Sequence, residues 1–170
     1  AGLVQACIDR GVPYRRVTAP AAIPATGMEL RVVHPPPDWP ETSADNDQSL
    51  VVRVDWDGAS ALLTGDIEAR AEAALAPGLA PVSLLKAPHH GSATSSTAAL
   101  LDAARPMAAA VSTGVRRGRR PVHAEVEAAY AAREIALWRT DRHGGLRFWP
   151  ESGAFRVETA RGARGYLPGL

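Results

Sequence analysis

The sequence predicts an α/β layered domain built on a mixed sheet, and three observations predict it. Asp57-Gly58 lies between two β-rich runs, the pattern of a tight antiparallel hairpin. Downstream, apolar runs of strand length alternate with segments of helix length, the order that gives parallel strands joined by crossover helices. Two of the apolar runs stop abruptly at turns that deliver polar side chains, Thr64-Gly65-Asp66 and Pro88-His89-His90-Gly91.

Taken in order, residues 3–10 suit a short helix closed by Gly11. Residues 12–17 are predicted as a strand, and the Pro- and Ala-rich residues 19–27 as a loop. Residues 28–33 form the next strand candidate, ended by Pro35-Pro36-Pro37, because three prolines cannot continue a ladder. Residues 38–47 are polar and acidic, as expected of a surface loop. The hairpin follows, with strands at 49–56 and 59–63. A helix is predicted at 67–76, stopped by Pro77-Gly78, then a strand at 82–87. Ser95, Ser96 and Thr97 offer N-cap hydroxyls to a helix ending near 104. A strand of small residues at 107–112, a helix at 123–133 and a strand at 135–139 complete the alternation. A turn at 141–145 leads to strands at 146–149 and 153–159. Residues 160–170 are expected to be a flexible tail, so the domain is predicted to span 1–159.

Whole-chain numbers bound the possibilities. A chain of 170 residues with 46% hydrophobic and 22% charged residues has the composition of one ordinary globular domain. No apolar run approaches the roughly 18 residues of a membrane span. The single cysteine, Cys7, excludes an internal disulfide and a Cys-based zinc cage, and is expected to be a small buried residue. The chain does not begin with Met, which predicts a fragment or a processed chain. The net charge of +1 hides an asymmetry: residues 1–115 carry −4 and residues 116–170 carry +5. A basic C-terminal portion is compatible with a polyanionic partner.

The candidate chemistry lies at the strand ends. Asp66 is a helix N-cap, a metal ligand, or both, since one carboxylate oxygen can bind metal while the other caps. His89 and His90, adjacent between Pro and Gly, would point to opposite faces of an extended chain, so only one would aim at a metal. Neutral imidazole suits zinc or manganese. Asn46-Asp47 before the hairpin and His123 at a helix start are further candidates. Arg116, Arg117, Arg119 and Arg120 are either phosphate-gripping residues or a solvated loop, with His34 and His143 structural. No Gly-x-Ser-x-Gly elbow and no Gly-rich nucleotide loop is present.

Several motifs then agree in order and spacing: 46–53 (Asn-Asp-Gln-Ser-Leu-Val-Val-Arg), 62–68 (Leu-Leu-Thr-Gly-Asp-Ile-Glu), 85–92 (Leu-Lys-Ala-Pro-His-His-Gly-Ser) with Ser95-Ser96, and Trp138-Arg139-Thr140-Asp141. Together, over roughly residues 28–149, they resemble the C-terminal part of the metallo-β-lactamase-like domain of the ComEC family, DNA-internalisation proteins of bacterial natural competence. The resemblance implies an αββα sandwich with a binuclear zinc or manganese centre at one edge. It implies that Asp66 and His89 or His90 are ligands, with Asp47 and His123 as further candidates, and that Asp66, His89 and His90 carry catalysis. Ser92, Ser95 and the arginine loop would position the phosphate of DNA.

The superfamily's leading His-x-His-x-Asp-His motif is absent; its place is before residue 1. Where the family has Gly-His-Pro, this chain has Arg119-Arg120-Pro121-Val122-His123. The expected function is therefore a metal-dependent nuclease domain of a DNA-uptake protein, inactive as this piece, with exposed apolar surface where the other half packs. Its expected partners are DNA, the N-terminal half of the domain and a membrane channel. The parent is expected in the cell membrane, with this segment on the extracytoplasmic side. The alternatives are a degenerate DNA-binding or structural appendage, and a hydrolase of small phosphodiesters.

Overall fold

The computed structural model describes residues 2–40, 45–114 and 122–167. Its centre is a seven-stranded sheet in the simple order β1 to β7: β1 (Ala21–Ile23), β2 (Glu29–His34), β3 (Val51–Trp56), β4 (Ala59–Leu63), β5 (Leu84–Lys86), β6 (Ala108–Val111) and β7 (Ala136–Arg139). The first four strands run antiparallel, and β4 to β7 run parallel. The hairpin forms as the Asp57-Gly58 turn predicts, with Trp56 opposite Ala59.

Three crossover helices follow from the parallel half: α2 (Ala69–Leu75), α3 (Ala98–Ala104) and α4 (Ala124–Ala131), after an N-terminal α1 (Gly2–Asp9). Each crossover steps one strand in the same direction. Twisted strands favour one hand of crossover, so all three helices fall on one face. There Leu75, Leu101, Val126 and Tyr130 bury against Val51, Leu62, Leu85 and Ala109. Register explains the division of the sheet's two faces. Leu62 pairs with Leu85 and Leu85 with Ala109 on the helix side. Ala61, Leu84 and Ala108 align one residue earlier and point the other way.

The second face is covered by a three-stranded antiparallel sheet, β8 (Leu146–Glu151), β9 (Ala154–Thr159) and β10 (Arg164–Leu167). Phe155 and Leu167 bury against Ala59, Ala61, Leu84 and Ala108, with Phe148 and Trp138 alongside. The layers are thus helices, mixed sheet, small sheet, the mixed α/β architecture expected.

Several local expectations need correction. Residues 164–167 are not a flexible tail: they pair with β9, and burial of Leu167 orders them. The predicted strand at 12–17 does not form, while Ala21–Ile23, expected to be loop, pairs with β2. The turn at 141–145 begins as a short helix, α5 (Thr140–His143). The acidic segment before β3 is not wholly surface, since Asp47 is buried. Cys7 is only partly buried, because α1 buries none of its residues; Leu3 is 80% exposed and Ile8 54%.

Among the described residues, no helix is long and apolar enough to cross a membrane.

Candidate metal centre at the strand-end edge

The parallel strands carry their following turns to one edge of the sheet. Residues after β4 (64–68), after β5 (87–92) and after β6 (112–114) meet there, as does the segment that enters β3 (45–50). Ligand sites of such sheets lie at the carboxyl ends of the strands for this reason.

Asp66 is positioned through the backbone. Gly65 has φ +58, and a Cβ there would lie 2.6 Å from Ser49 Cβ, so glycine is required. The close approach lets the Asp66 amide donate to Ser49 Oγ at 3.1 Å. Thr64, fully buried, donates to Lys86 O at 2.8 Å and ties β4 to β5. The Asp66 carboxylate is not a helix cap: α2 starts later, with Glu68 at its N-cap. Oδ1 of Asp66 instead faces two nitrogens, Lys86 Nζ at 3.4 Å and His90 Nε2 at 3.6 Å.

The two histidines do not lie on an extended chain. His89 (φ 42) and His90 (φ 54) are both left-handed, followed by Gly91 at φ +80. Left-handed backbone costs about 1–2 kcal/mol per non-glycine residue, and such strain gathers at functional sites. The turn is braced from outside: His89 N donates to Gly65 O at 3.4 Å, and His123 N donates to Gly91 O at 3.0 Å.

The rings diverge. His90 Nδ1 lies 2.7 Å from Ser112 O. A carbonyl only accepts, so Nδ1 carries the proton, and in the neutral ring Nε2 is the unprotonated nitrogen. That is the nitrogen facing Asp66. His89 Nδ1 lies 2.9 Å from Glu68 Oε1. Of the adjacent pair, His90 faces Asp66 and His89 faces Glu68.

Glu68, quoted in the sequence motif without a role, is a hub. Thr94 Oγ1 donates to it at 2.8 Å and Asn46 Nδ2 at 3.1 Å. The Thr94 hydroxyl, then Asn46 and His89, hold its carboxyl below the ordinary glutamate range against the opposing effect of burial. Its only sequence signal is its place two residues after Asp66.

The remaining candidates take other positions. Asp47 is buried and its Oδ1 accepts from Glu68 N at 2.8 Å, satisfying an amide at the start of α2; its carbonyl meets His34 Nε2 at 2.9 Å. His123 is the N-cap residue of α4, half exposed, with Glu125 at 3.9 Å; it makes no ion pair with Asp66. Ser95 is buried, donating to Pro88 O and Ser92 O at 3.0 Å each, so it closes the loop rather than facing outward. Ser92 is part-exposed, 3.1 Å from Thr94 Oγ1. Arg116, Arg117, Arg119 and Arg120 lie outside the described residues. His143, expected to be structural, has Nδ1 3.0 Å from the backbone of Arg139.

Buried polar groups behind the histidine turn fix this edge. Glu72, fully buried, accepts from Ser96 N and Thr97 N at 2.7 Å each. Burial pushes its carboxyl above the ordinary value, against the pull of those donors. Ser96 Oγ meets the buried Tyr130 hydroxyl at 3.0 Å.

The family model of the metallo-beta-lactamase superfamily matches residues 5–115. The chain belongs to the metallo-beta-lactamase superfamily. It is 34% identical over 120 residues to Competence protein ComA of Neisseria gonorrhoeae, covering 69% of this chain and 17% of that protein. It is 45% identical over 73 residues to Recombination protein 2 of Haemophilus influenzae, covering 43% of this chain and 9% of that protein. ComE operon protein 3 of Bacillus subtilis is 26% identical over 149 residues, covering 86% of this chain and 19% of that protein. The chain therefore spans less than a fifth of the length of these curated relatives.

Members of the metallo-beta-lactamase superfamily usually bind metal ions. Among the described residues, no group of three or more His, Cys, Asp or Glu side chains converges as a cage. The five candidates Asp66, His89, His90, Asp47 and His123 are thus not gathered around one point. The Asp66–His90 pair fits part of such a site. It sets a carboxylate oxygen opposite a nitrogen that, in the neutral ring, keeps its lone pair, and the other ring nitrogen is fixed by a backbone carbonyl, the arrangement that supports metal-ligating histidines.

Proposed function

We propose that this chain is the C-terminal part of a metal-dependent phosphodiesterase domain, a nuclease, in a DNA-uptake competence protein. The observation that carries the reading is the pairing of Asp66 Oδ1 with His90 Nε2 at 3.6 Å, with His90 oriented by Ser112. The similarity to competence proteins supplies the biological setting.

Asp66 and His90 would hold a zinc or manganese ion, with His89 Nε2 as a further nitrogen. Bound metal in such sites lowers the pKa of water and neutralises charge developing on phosphate. Lys86 and Ser92 supply cationic and hydroxyl contacts for the DNA backbone, and Arg116, Arg117, Arg119 and Arg120, which lie outside the described residues, add positive charge in sequence. The three donors Asp66, His90 and His89, which are not gathered around one point among the described residues, do not close a binuclear cage, so this segment by itself is inactive. The partners under this reading are DNA, the N-terminal half of the same domain and a membrane channel. The parent would lie in the cell membrane, with this segment on the extracytoplasmic side.

The test is manganese- or zinc-dependent cleavage of DNA by the complete domain, with Asp66→Ala as control. Cleavage by wild type and its loss in the variant is expected. Equal cleavage by the two proteins would sink the metal assignment. DNA retained without cleavage would favour a degenerate DNA-binding appendage.

A further inference from the structure

We propose that Glu68 is a positioning residue that holds His89 in the tautomer protonated on Nδ1, so that Nε2 is presented unprotonated at the strand-end edge. The inference relies on the proposed metal centre for what that nitrogen would meet, and not for the tautomer itself.

Oε1 of Glu68 is the shared target of three donors: Thr94 Oγ1 at 2.8 Å, His89 Nδ1 at 2.9 Å and Asn46 Nδ2 at 3.1 Å. An ionised carboxylate has no proton to give, so the imidazole nitrogen facing it is the protonated one. In a neutral ring the other nitrogen then keeps its lone pair. Free histidine in water favours the opposite tautomer, so the environment has to select this one.

The carboxylate is well placed to do so. Its two other donors come from different segments, Asn46 ahead of β3 and Thr94 beyond the histidine turn. Its own amide is fixed by Asp47 Oδ1 at 2.8 Å. Glu68 is therefore held at backbone and side chain before His89 reaches it. His90 is treated in parallel, with Ser112 O taking the place of Glu68. Two different acceptors give two adjacent histidines the same tautomer, so in the neutral rings both Nε2 atoms keep their lone pairs. The left-handed turn at residues 89 and 90 sends the rings to those separate acceptors.

Long-range proton–nitrogen NMR spectra of the metal-free chain, labelled in histidine nitrogen and recorded at pH 8, test the assignment; a His89→Gln control identifies the resonance. Wild type is expected to show His89 with a protonated Nδ1 and a bare Nε2. Glu68→Ala is expected to shift the ring toward the Nε2–H form, and Glu68→Gln, which keeps a carbonyl acceptor, to restore the wild-type pattern. A wild-type His89 protonated on Nε2, or an unchanged pattern in Glu68→Ala, would overturn the proposal. Should Glu68→Ala fail to fold, wild type and Glu68→Gln decide: both must show the Nδ1–H form. Zinc titration of the complete domain, wild type and Glu68→Ala, separates this from the functional reading. Binding about tenfold weaker or worse is expected in Glu68→Ala. A zinc titration that leaves Asp66 and His90 unperturbed counts against the metal centre, while the tautomer result stands by itself.

Discussion

His90 Nδ1 and Ser112 O are 2.7 Å apart, and this contact determines which nitrogen of His90 faces Asp66. Ser112 lies just beyond β6, and its neighbour Thr113 is clamped by Thr140. Thr113 N donates to Thr140 Oγ1 at 2.7 Å, and Thr140 Oγ1 donates to Thr113 O at 2.5 Å. The Arg139-Thr140-Asp141 motif thus reaches the candidate metal centre through the backbone of the neighbouring strand end.

Thr140→Val keeps the shape of the side chain and removes its hydrogen bonds to Thr113 and, at 3.4 Å, to Val111 O. Metal binding by the complete domain is expected to weaken about tenfold, the lower end of the range for outer-shell partners of metal ligands. Calorimetric titration with zinc or manganese measures this, and an unchanged affinity would disconnect Thr140 from the site.

Asp141 gives stability one direction of pH dependence. Its bonds to Arg139 hold its carboxyl below the ordinary aspartate value of 3.8. Arg139 is 3% exposed and Asp141 6%, so water screens the pair little. A carboxyl whose folded value is lowered stabilises above its unfolded value and loses that contribution as pH falls through the folded one. Asp141→Asn is expected to cost about 2 kcal/mol at pH 7, with the gap to wild type narrowing at pH 3. Urea midpoints at both pH values provide the comparison.

Glu72 acts with the opposite sign. Burial raises its carboxyl above the ordinary value of 4.5. Its contribution is therefore fullest below that value and declines as pH rises through the folded value. Glu72→Ala leaves the Ser96 and Thr97 amides without their acceptor, at about 1–3 kcal/mol each. Urea unfolding should show a larger loss at pH 5 than at pH 8. The reverse order would mean that the two amides, and not burial, govern its proton affinity.

Gly65→Ala places a methyl 2.6 Å from Ser49 Cβ at a backbone φ of +58. Overpacking of this kind costs about 1–3 kcal/mol. Because Ser49 Oγ accepts from Asp66 N, the clash also displaces the carboxylate. A lower melting temperature together with weaker metal binding is expected. A melt unchanged from wild type would show that Ser49 can move aside.

Much of this fold was legible along the chain because its signals are local. Asp57-Gly58 specifies a hairpin turn through its own backbone preferences, and the observed strands Val51–Trp56 and Ala59–Leu63 follow. Thr97 caps α3 as its hydroxyl suggested, accepting from Leu100 N. The strand at 164–167 was not legible: Tyr166 and Leu167 are a short apolar signal behind Arg164 and Gly165, and pairing with β9 supplies the order. Asp47 looked like a solvated turn residue, yet the amide of Glu68 draws it inside.

By itself the sequence determined that this is a mixed α/β domain with Asp66, His89 and His90 at strand ends, because turn chemistry and apolar periodicity are written in neighbouring residues. Only the tertiary structure decided which histidine faces Asp66 and which faces Glu68, and gave Glu68 and Ser112 their places. Those assignments depend on hydrogen bonds between residues 21 and 22 positions apart, and such partners come together only when parallel strands align their ends.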